Sequence, residues 1–566
     1  MDHKHSASSQ PHRAVEMILL VLAGVFLALH FLHLHADFPN HSPWMDWAKY
    51  TDEGWYGDGA IRHFQRGHWY VPGDFNPAAA LPVWPLVEAG VFRFTGVSLA
   101  AARGLTVVVF GLILVFSYVL MRRCHGLSTR RSGRSLAPAI AVVLLALSPF
   151  CYAFTRMAIL EPLLVLLTLM ALLAASFVGP EEVLEGAGGE LLRGISRRTV
   201  GGTVARAFPL LALGLLLPLM VLTKTTAVFL MPGIGWMLWA RAGYRIRAFL
   251  GVSLPVVALF AGVWLSYYGL IVRPHFLGDF HYLFSANAYS GITSDTAFSV
   301  LLATIVDGLW IGRILFPLAL LAILSVFLLR PRLLRNPLLP SLLLWVAGYA
   351  AFLAYHNNLQ PRYYLVIAVP LTLLVPLVFE AVWTPYAEGR SLTTMQRLGT
   401  VCMAFVLSFL AVTDARQTLG YVRSPEYSFS DAAARIHSLI AAEPGHSPLV
   451  LSISGSNLSL MTGIPSICDD FGTMNLTARV RAYRPGWYVT WNQIEDDKMD
   501  ALAPMYHLER VAAFPVMDDP DRNLLILYRL DPAAAGTPLR PHRKRVVPRL
   551  LQTSFGQQPS PIQLVH

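Results

Sequence analysis

Polar and apolar positions along this chain fall into long blocks instead of the short periods of a soluble protein. Apolar runs able to cross a hydrocarbon core of about 30 Å occur near 15–35, 101–121, 135–153, 158–178 and 207–223. Further runs lie near 226–240, 248–271, 314–329, 338–356, 363–383 and 398–414. The pattern predicts a mainly α, polytopic membrane protein with about eleven transmembrane helices. The first run lacks a small-residue cleavage site and reads as a retained helix. Segment 77–95 is also apolar, but counting it as a span would invert every later loop, so it reads as re-entrant or interfacial.

Arginine distribution sets that count. With the N-terminus inside, the inside loops carry Arg122, Arg123, Arg130, Arg131 and Arg134, then Arg193, Arg197, Arg198 and Arg206. Later inside loops carry Arg241, Arg245, Arg247, Arg330, Arg332, Arg335, Arg390 and Arg397, whereas the opposite connections are poor in basic residues, as the positive-inside rule requires. Beyond residue 415 the blocks shorten. A helix through Ala432, Ile436, Leu439 and Ile440 and strand-like runs at 449–453, 487–491 and 524–530 predict a small extracytoplasmic α/β domain. The expected organisation is a membrane module over 1–414 with a first outer loop at 36–100, an α/β domain over 415–530 and a disordered basic tail over 531–566.

Composition excludes an ordinary soluble globular protein, since 55% of the 566 residues are hydrophobic, only 14% are charged and mean hydropathy is +0.51. The formal net charge of +10 and pI near 9.5 call for no nucleic-acid partner, because inside loops facing anionic membrane lipids account for the excess. Cys124, Cys151, Cys402 and Cys468 lack metal-ligand spacing. Two Asn-x-Ser/Thr patterns, at Asn457 and Asn475, are incidental unless the chain enters a glycosylating compartment.

Candidate chemistry gathers where spans meet water. Asp52 and Glu53 open a stretch, TDEGWYGDGAIRHFQRGHWYVP, in which Tyr56, Ala60, Ile61 and Phe64 share helical spacing and predict a short interfacial helix. At the outer ends of other spans lie Arg156, Glu161, Lys224, Arg273, His275, His281, Arg362 and Tyr363. Carboxylates suit the deprotonation of a hydroxyl, and cations suit a phosphate, although cations near helix ends also snorkel and pair with acids. Glu161, at the mouth of a span before Pro162, needs a partner or a water-filled cavity. Nucleotide sugars and ATP are scarce on an outer membrane face, so group transfer there needs a donor carried by lipid. A sugar on a polyprenyl phosphate meets that need.

The pattern Asp52, Glu53, Tyr56, then Gly67, Trp69 and Pro72, resembles the first outer loop of the dolichyl-phosphate-mannose protein mannosyltransferase superfamily. Its layout is similar to the bacterial branch that transfers aminoarabinose to lipid A. RMAILEP resembles that superfamily's second-acid motif, VLTKTTAVFLMP its threonine-lysine turn and LQPRYYLVIAVP its late Arg-Tyr motif. The resemblance implies a GT-C fold and an inverting glycosyltransferase of a bacterial inner membrane, its active site facing the periplasm. It would take a polyprenyl-phosphate sugar donor and a lipid, glycan or protein acceptor. By the same resemblance, Asp52 is the acceptor-activating base, Glu53 supports the loop or the acceptor position, and Glu161 is the second acid. Tyr56, Arg156, Lys224, Arg362 and Tyr363 would bind substrate, with no metal and no other cofactor. Two departures stand out: Glu161 replaces the usual Asp, and NPAAALPVWP carries no basic residue where one is expected, leaving Asn76 or His68 as the polar substitutes. Two other classes fit the composition, a lipid or sugar transporter and a catalytically retired scaffold. Against the first, ionisable residues gather at one face and no duplicated half is visible.

Overall fold

The computed structural model describes residues 10–37, 39, 42–128, 135–178, 201–286, 294–329, 331–356, 360–387, 394–519 and 522–533. The arginines expected at 130, 131, 134, 193, 197, 198, 330 and 390, and the basic tail beyond 533, lie outside the described residues. Among the described residues, seven helical stretches are long and apolar enough to cross a membrane: His12–Leu29, Leu99–His125, Leu160–Phe177, Ile246–Ser285, Leu338–His356, Pro361–Glu380 and Arg397–Ala441. Four shorter apolar helices accompany them, at Ala137–Leu147, Ala207–Thr223, Phe298–Trp310 and Leu315–Leu328. The protein is a multi-pass membrane protein.

Two segments depart from the sequence reading. The span expected at 226–240 divides into a 3-10 turn, Thr225–Leu230, and an 11-residue helix, Met231–Arg241. Both lie against the helix Leu338–His356, so closely that a Cβ on Gly348 would sit 2.0 Å from the carbonyl oxygen of Phe229. The apolar character of 226–240 therefore serves packing within the bundle. Conversely, Ser294–Asp307 is helical where the sequence reading placed no span. Segment 77–95 forms a 3-10 turn, Pro77–Ala79, and a 13-residue helix, Val83–Thr95. At 1.5 Å per residue that helix is about 20 Å long, short of a full crossing.

The C-terminal part carries a mixed five-stranded sheet in the order β2-β1-β3-β5-β4. Its strands are β1 (Val450–Leu451), β2 (Ser466–Ile467), β3 (Trp487–Trp491), β4 (Tyr506–Pro515) and β5 (Leu524–Pro532). β1 pairs in parallel with β2 and β3, whereas β5 runs antiparallel to β3 and β4. Alternation distributes the strands between two cores. Trp487, Val489, Leu525 and Leu527 pack with Phe429, Ala433 and Ile436 of the helix Ser428–Ala441. Tyr488 and Leu530 face Leu451, Val480 and Leu502 on the other side.

The acidic stretch is the joint between the two parts. Its helix, Asp52–Arg66, packs on Val83–Thr95 and on Gly455–Thr462 of the C-terminal part. Rather than lying on a surface as an interfacial amphipath, it is mostly enclosed: Ala60 and Ile61 are fully buried and only Phe64 of the expected apolar set is exposed. Glycine makes this enclosure feasible. A Cβ on Gly54 would lie 2.2 Å from the backbone of Ser456, and one on Gly57 would lie 2.3 Å from a Glu88 oxygen. Gly67 ends the helix in the left-handed conformation at φ 79°, its N–H bonded to His63 O at 2.9 Å.

Candidate active site

Three interruptions between helices bring the candidate residues together. Glu161 stands in the first turn of Leu160–Phe177, where the positive helix end favours a carboxylate. Lys224 adopts extended backbone geometry between the helix Gly201–Thr223 and the 3-10 turn that follows. Pro361, its φ suited to a first helical position, opens the 3-10 turn Pro361–Tyr364 that carries Arg362 and Tyr363.

Asp52, Glu161, Lys224 and Arg362 are each at least nine-tenths buried. An Arg362 guanidinium nitrogen lies 2.9 Å from the Asp52 carboxylate. The same guanidinium and the Arg362 backbone N–H, the latter at 2.8 Å, also bind Asp46. Lys224 is hydrogen-bonded to Glu161. Both cations lie over the same aromatic ring: Lys224 Nζ is 4.3 Å and Arg362 Cζ 4.7 Å from the Tyr363 ring centroid. His356 stacks on Tyr363 at 5.5 Å. Tyr56, four residues beyond Asp52 on its helix, is within electrostatic reach of Arg362, Tyr363 and Glu161.

The Thr51 hydroxyl donates to Asp52 Oδ1 at 2.8 Å. Burial nevertheless raises the Asp52 pKa above the ordinary carboxylate value, outweighing the opposing pull of Arg362. Glu161 Oε2, Arg362 Nε and Thr226 Oγ1 are buried without hydrogen-bond partners. Such unspent capacity is costly in a closed core and fits a site that receives a polar ligand.

Glu53 and Arg156 are placed elsewhere. Glu53 forms a bidentate pair with Arg103 at 2.7 and 2.6 Å and accepts the Ala158 N–H at 3.0 Å. Arg156 bonds Tyr152 OH at 2.6 Å and the carbonyls of His30, Leu32 and His33 at 3.1, 2.6 and 2.7 Å. Its guanidinium thus ties down the chain leaving the first helix. Neither suggested substitute for the missing basic residue joins the cluster. Asn76 is fully engaged with Val71, Asp74, Arg62 and Asp279, while His68 is exposed and bonded to Arg66 O. Sequence reasoning missed Asp46 and His356. An acid preceding WAKY, where it caps a short turn, was the available signal for Asp46. Among the described residues, no group of three or more His, Cys, Asp or Glu side chains is arranged to hold a metal ion.

No protein-family model and no curated protein matches the chain. Among solved structures it is similar to ArnT from Cupriavidus metallidurans in the apo state, with 15% identity and a TM-score of 0.50, over 91% of this chain and 98% of that one. The same protein bound to undecaprenyl phosphate gives 15% identity and a TM-score of 0.50, over 90% and 97%. An Archaeoglobus fulgidus oligosaccharyltransferase in the apo form aligns at 12% identity and a TM-score of 0.49, over 92% of this chain and 75% of its own. The helical bundle, the enclosed acidic helix and the C-terminal sheet together make up a GT-C glycosyltransferase fold.

Proposed function

We propose that this chain is a membrane glycosyltransferase that moves a sugar from a polyprenyl-phosphate donor to a lipid, glycan or protein acceptor. The observation that carries the reading is the buried meeting of Asp52 and Glu161 with Arg362 and Lys224 around Tyr363. It occurs in a fold similar to that of ArnT, a protein whose structure holds undecaprenyl phosphate. The arginine-rich loops support a placement in a bacterial-type inner membrane with this cluster on the periplasmic side.

In this reading Lys224 and Arg362 bind the donor phosphate, Tyr363 fixes both cations, and Tyr56 lines the pocket. The acceptor hydroxyl oxygen attacks the anomeric carbon from the face opposite the phosphate. A carbon–oxygen bond to the acceptor forms as the bond to phosphate breaks, which inverts the centre. The hydroxyl proton passes to Asp52, and the electron pair leaves with polyprenyl phosphate, stabilised by the two cations. Arg362 has to exchange Asp52 for phosphate before the base is free. Glu161, through Lys224, sets where the phosphate rests. Glu53 and Arg156 act one step away, holding the acidic helix and the chain after the first helix.

The test is mass spectrometry of surface lipids, glycans and proteins from cells with the wild type, Asp52→Asn or no protein. A glycan mass found only with the wild type is the expected result, and it names sugar and acceptor together. Identical glycans in all three, with altered lipid distribution between leaflets when the protein is absent, would overturn it in favour of transport.

A further inference from the structure

The acidic helix begins without help from its own N-cap. Thr51 occupies that position, but the single proton of its hydroxyl is directed at Asp52 Oδ1 at 2.8 Å, with Trp47 O at 3.2 Å as the longer alternative acceptor, and it makes no capping bond. The N–H of Gly54, third residue of the helix, is one of the donors that a helix start leaves unpaired. It is satisfied from 403 residues away, by Asn457 Oδ1 at 2.6 Å. Asn457 lies on the helix Gly455–Thr462 and is 1% exposed, so the Asn-x-Ser pattern it heads is closed to modification. Only its acceptor is used, since Nδ2 has no hydrogen-bond partner. The missing Cβ of Gly54 lets the two backbones meet at this point.

From this geometry we infer that Asn457 is a positioning residue that caps the acidic helix from the C-terminal domain and so sets the orientation of Asp52. The inference deepens the glycosyltransferase reading and, for its kinetic part, rests on it. A Thr51 side chain that capped its own helix would have to turn from Asp52. Supplying the cap from another domain leaves Thr51 on the carboxylate and makes the start of the helix depend on domain docking. A second contact between the same helices, Gln65 Nε2 to Ser459 O at 2.7 Å, lies at the far end of the acidic helix and provides a control.

Hydrogen exchange resolved at Gly54, measured by mass spectrometry on the full-length protein in detergent, reads the cap without reference to activity. Losing a cap typically costs about 1 kcal/mol, or roughly fivefold in an equilibrium. Exchange at Gly54 is expected to quicken about fivefold in Asn457→Ala and to stay at the wild-type rate in Asn457→Asp, which keeps the acceptor, and in Gln65→Ala. Transfer measured at the high-pH plateau should show kcat lowered about tenfold in Asn457→Ala, with the donor KM within twofold, and restored in Asn457→Asp. Unchanged Gly54 exchange in Asn457→Ala overturns the cap. Faster exchange with wild-type kcat, or equal kcat losses in Asn457→Ala and Asn457→Asp, overturns the link to Asp52. Absence of transfer by the wild type, with the exchange pattern as expected, supports the cap and instead sinks the glycosyltransferase reading.

Discussion

Replacing Arg103 should separate the two neighbouring acids by their roles. Arg103 is 6% exposed and Glu53 is 1% exposed, and their two hydrogen bonds of 2.7 and 2.6 Å make a bidentate pair. Arg103 also donates to Leu34 O at 3.0 Å and to Ala36 O, so it joins the acidic helix to the chain after the first helix. Arg103→Met keeps most of the volume but leaves a carboxylate buried without its cation, a loss of about 3–5 kcal/mol. Glu53→Gln alone orphans the guanidinium at comparable cost. The double variant removes both charges and should recover about a third of the summed loss, a coupling of about 2–3 kcal/mol. Unfolding in mixed detergent micelles followed by tryptophan fluorescence measures the cycle, with transfer assayed below every midpoint. Single variants within about 1 kcal/mol of the wild type would refute the buried-pair argument. So would a folded Glu53→Gln protein with no transfer, because Glu53 would then act on substrate.

Asp52→Asn should lower kcat by about 10²–10⁴, without loss of thermal stability, since Arg362 keeps Asp46 and a desolvated charge is removed. Because Asp52 must be ionised to take a proton and burial raises its pKa, wild-type kcat should climb with pH along a limb displaced above that of an exposed carboxylate; a flat profile down to pH 4 would contradict this. Lys224→Ala removes a charge-assisted bond worth about 1.5–3 kcal/mol, so binding of undecaprenyl phosphate, read by scintillation proximity, should weaken about 10- to 100-fold. Gly57→Ala meets only the end of the Glu88 side chain and should cost about 1–3 kcal/mol, whereas Gly54→Ala meets backbone and should separate the C-terminal domain from the acidic helix, seen as new proteolytic cleavage between the two parts.

The helical bundle and most of the cluster were legible in the chain because each rests on a local signal. Long apolar runs mark spans, and Asp52, Glu161, Lys224 and Arg362 stand where such runs stop. Partner choice was not local. Nothing near Glu53 announces Arg103, fifty residues on, or that Arg156 would be spent on carbonyls. The run at 226–240 looked like a span because burial among helices and burial in lipid select the same residues. β4 escaped notice because its ten residues, YHLERVAAFP, carry charge on a half-exposed edge strand, where pairing with β5 rather than alternation decides the conformation. At Asn457 the Asn-x-Ser triplet gave no hint of the capping role, because it reads the same whether the side chain faces solvent or the start of another helix.

What makes the dipeptide at 52–53 informative is the geometry of a helix start. Successive residues point about 100° apart, so Asp52, Glu53 and Gly54 address three different bodies. Asp52 turns to Arg362 on the late 3-10 turn, Glu53 to Arg103 on the span Leu99–His125, and Gly54 to the C-terminal domain. A slip of one residue would put a carboxylate against the Ser456 backbone and leave Arg362 and Arg103 each facing the wrong group. Register is thus fixed by two buried charges and one missing side chain. Each body that the helix touches is in turn anchored by the others: Arg103 holds the chain after the first helix, and Asp46 on that same chain holds Arg362. A carboxylate with a raised pKa can persist in so closed a place because its surroundings are over-determined. The ionisable groups at this joint therefore belong to one mechanical unit, and in the proposed mechanism Asp52 is the member that yields its charge partner to the donor phosphate.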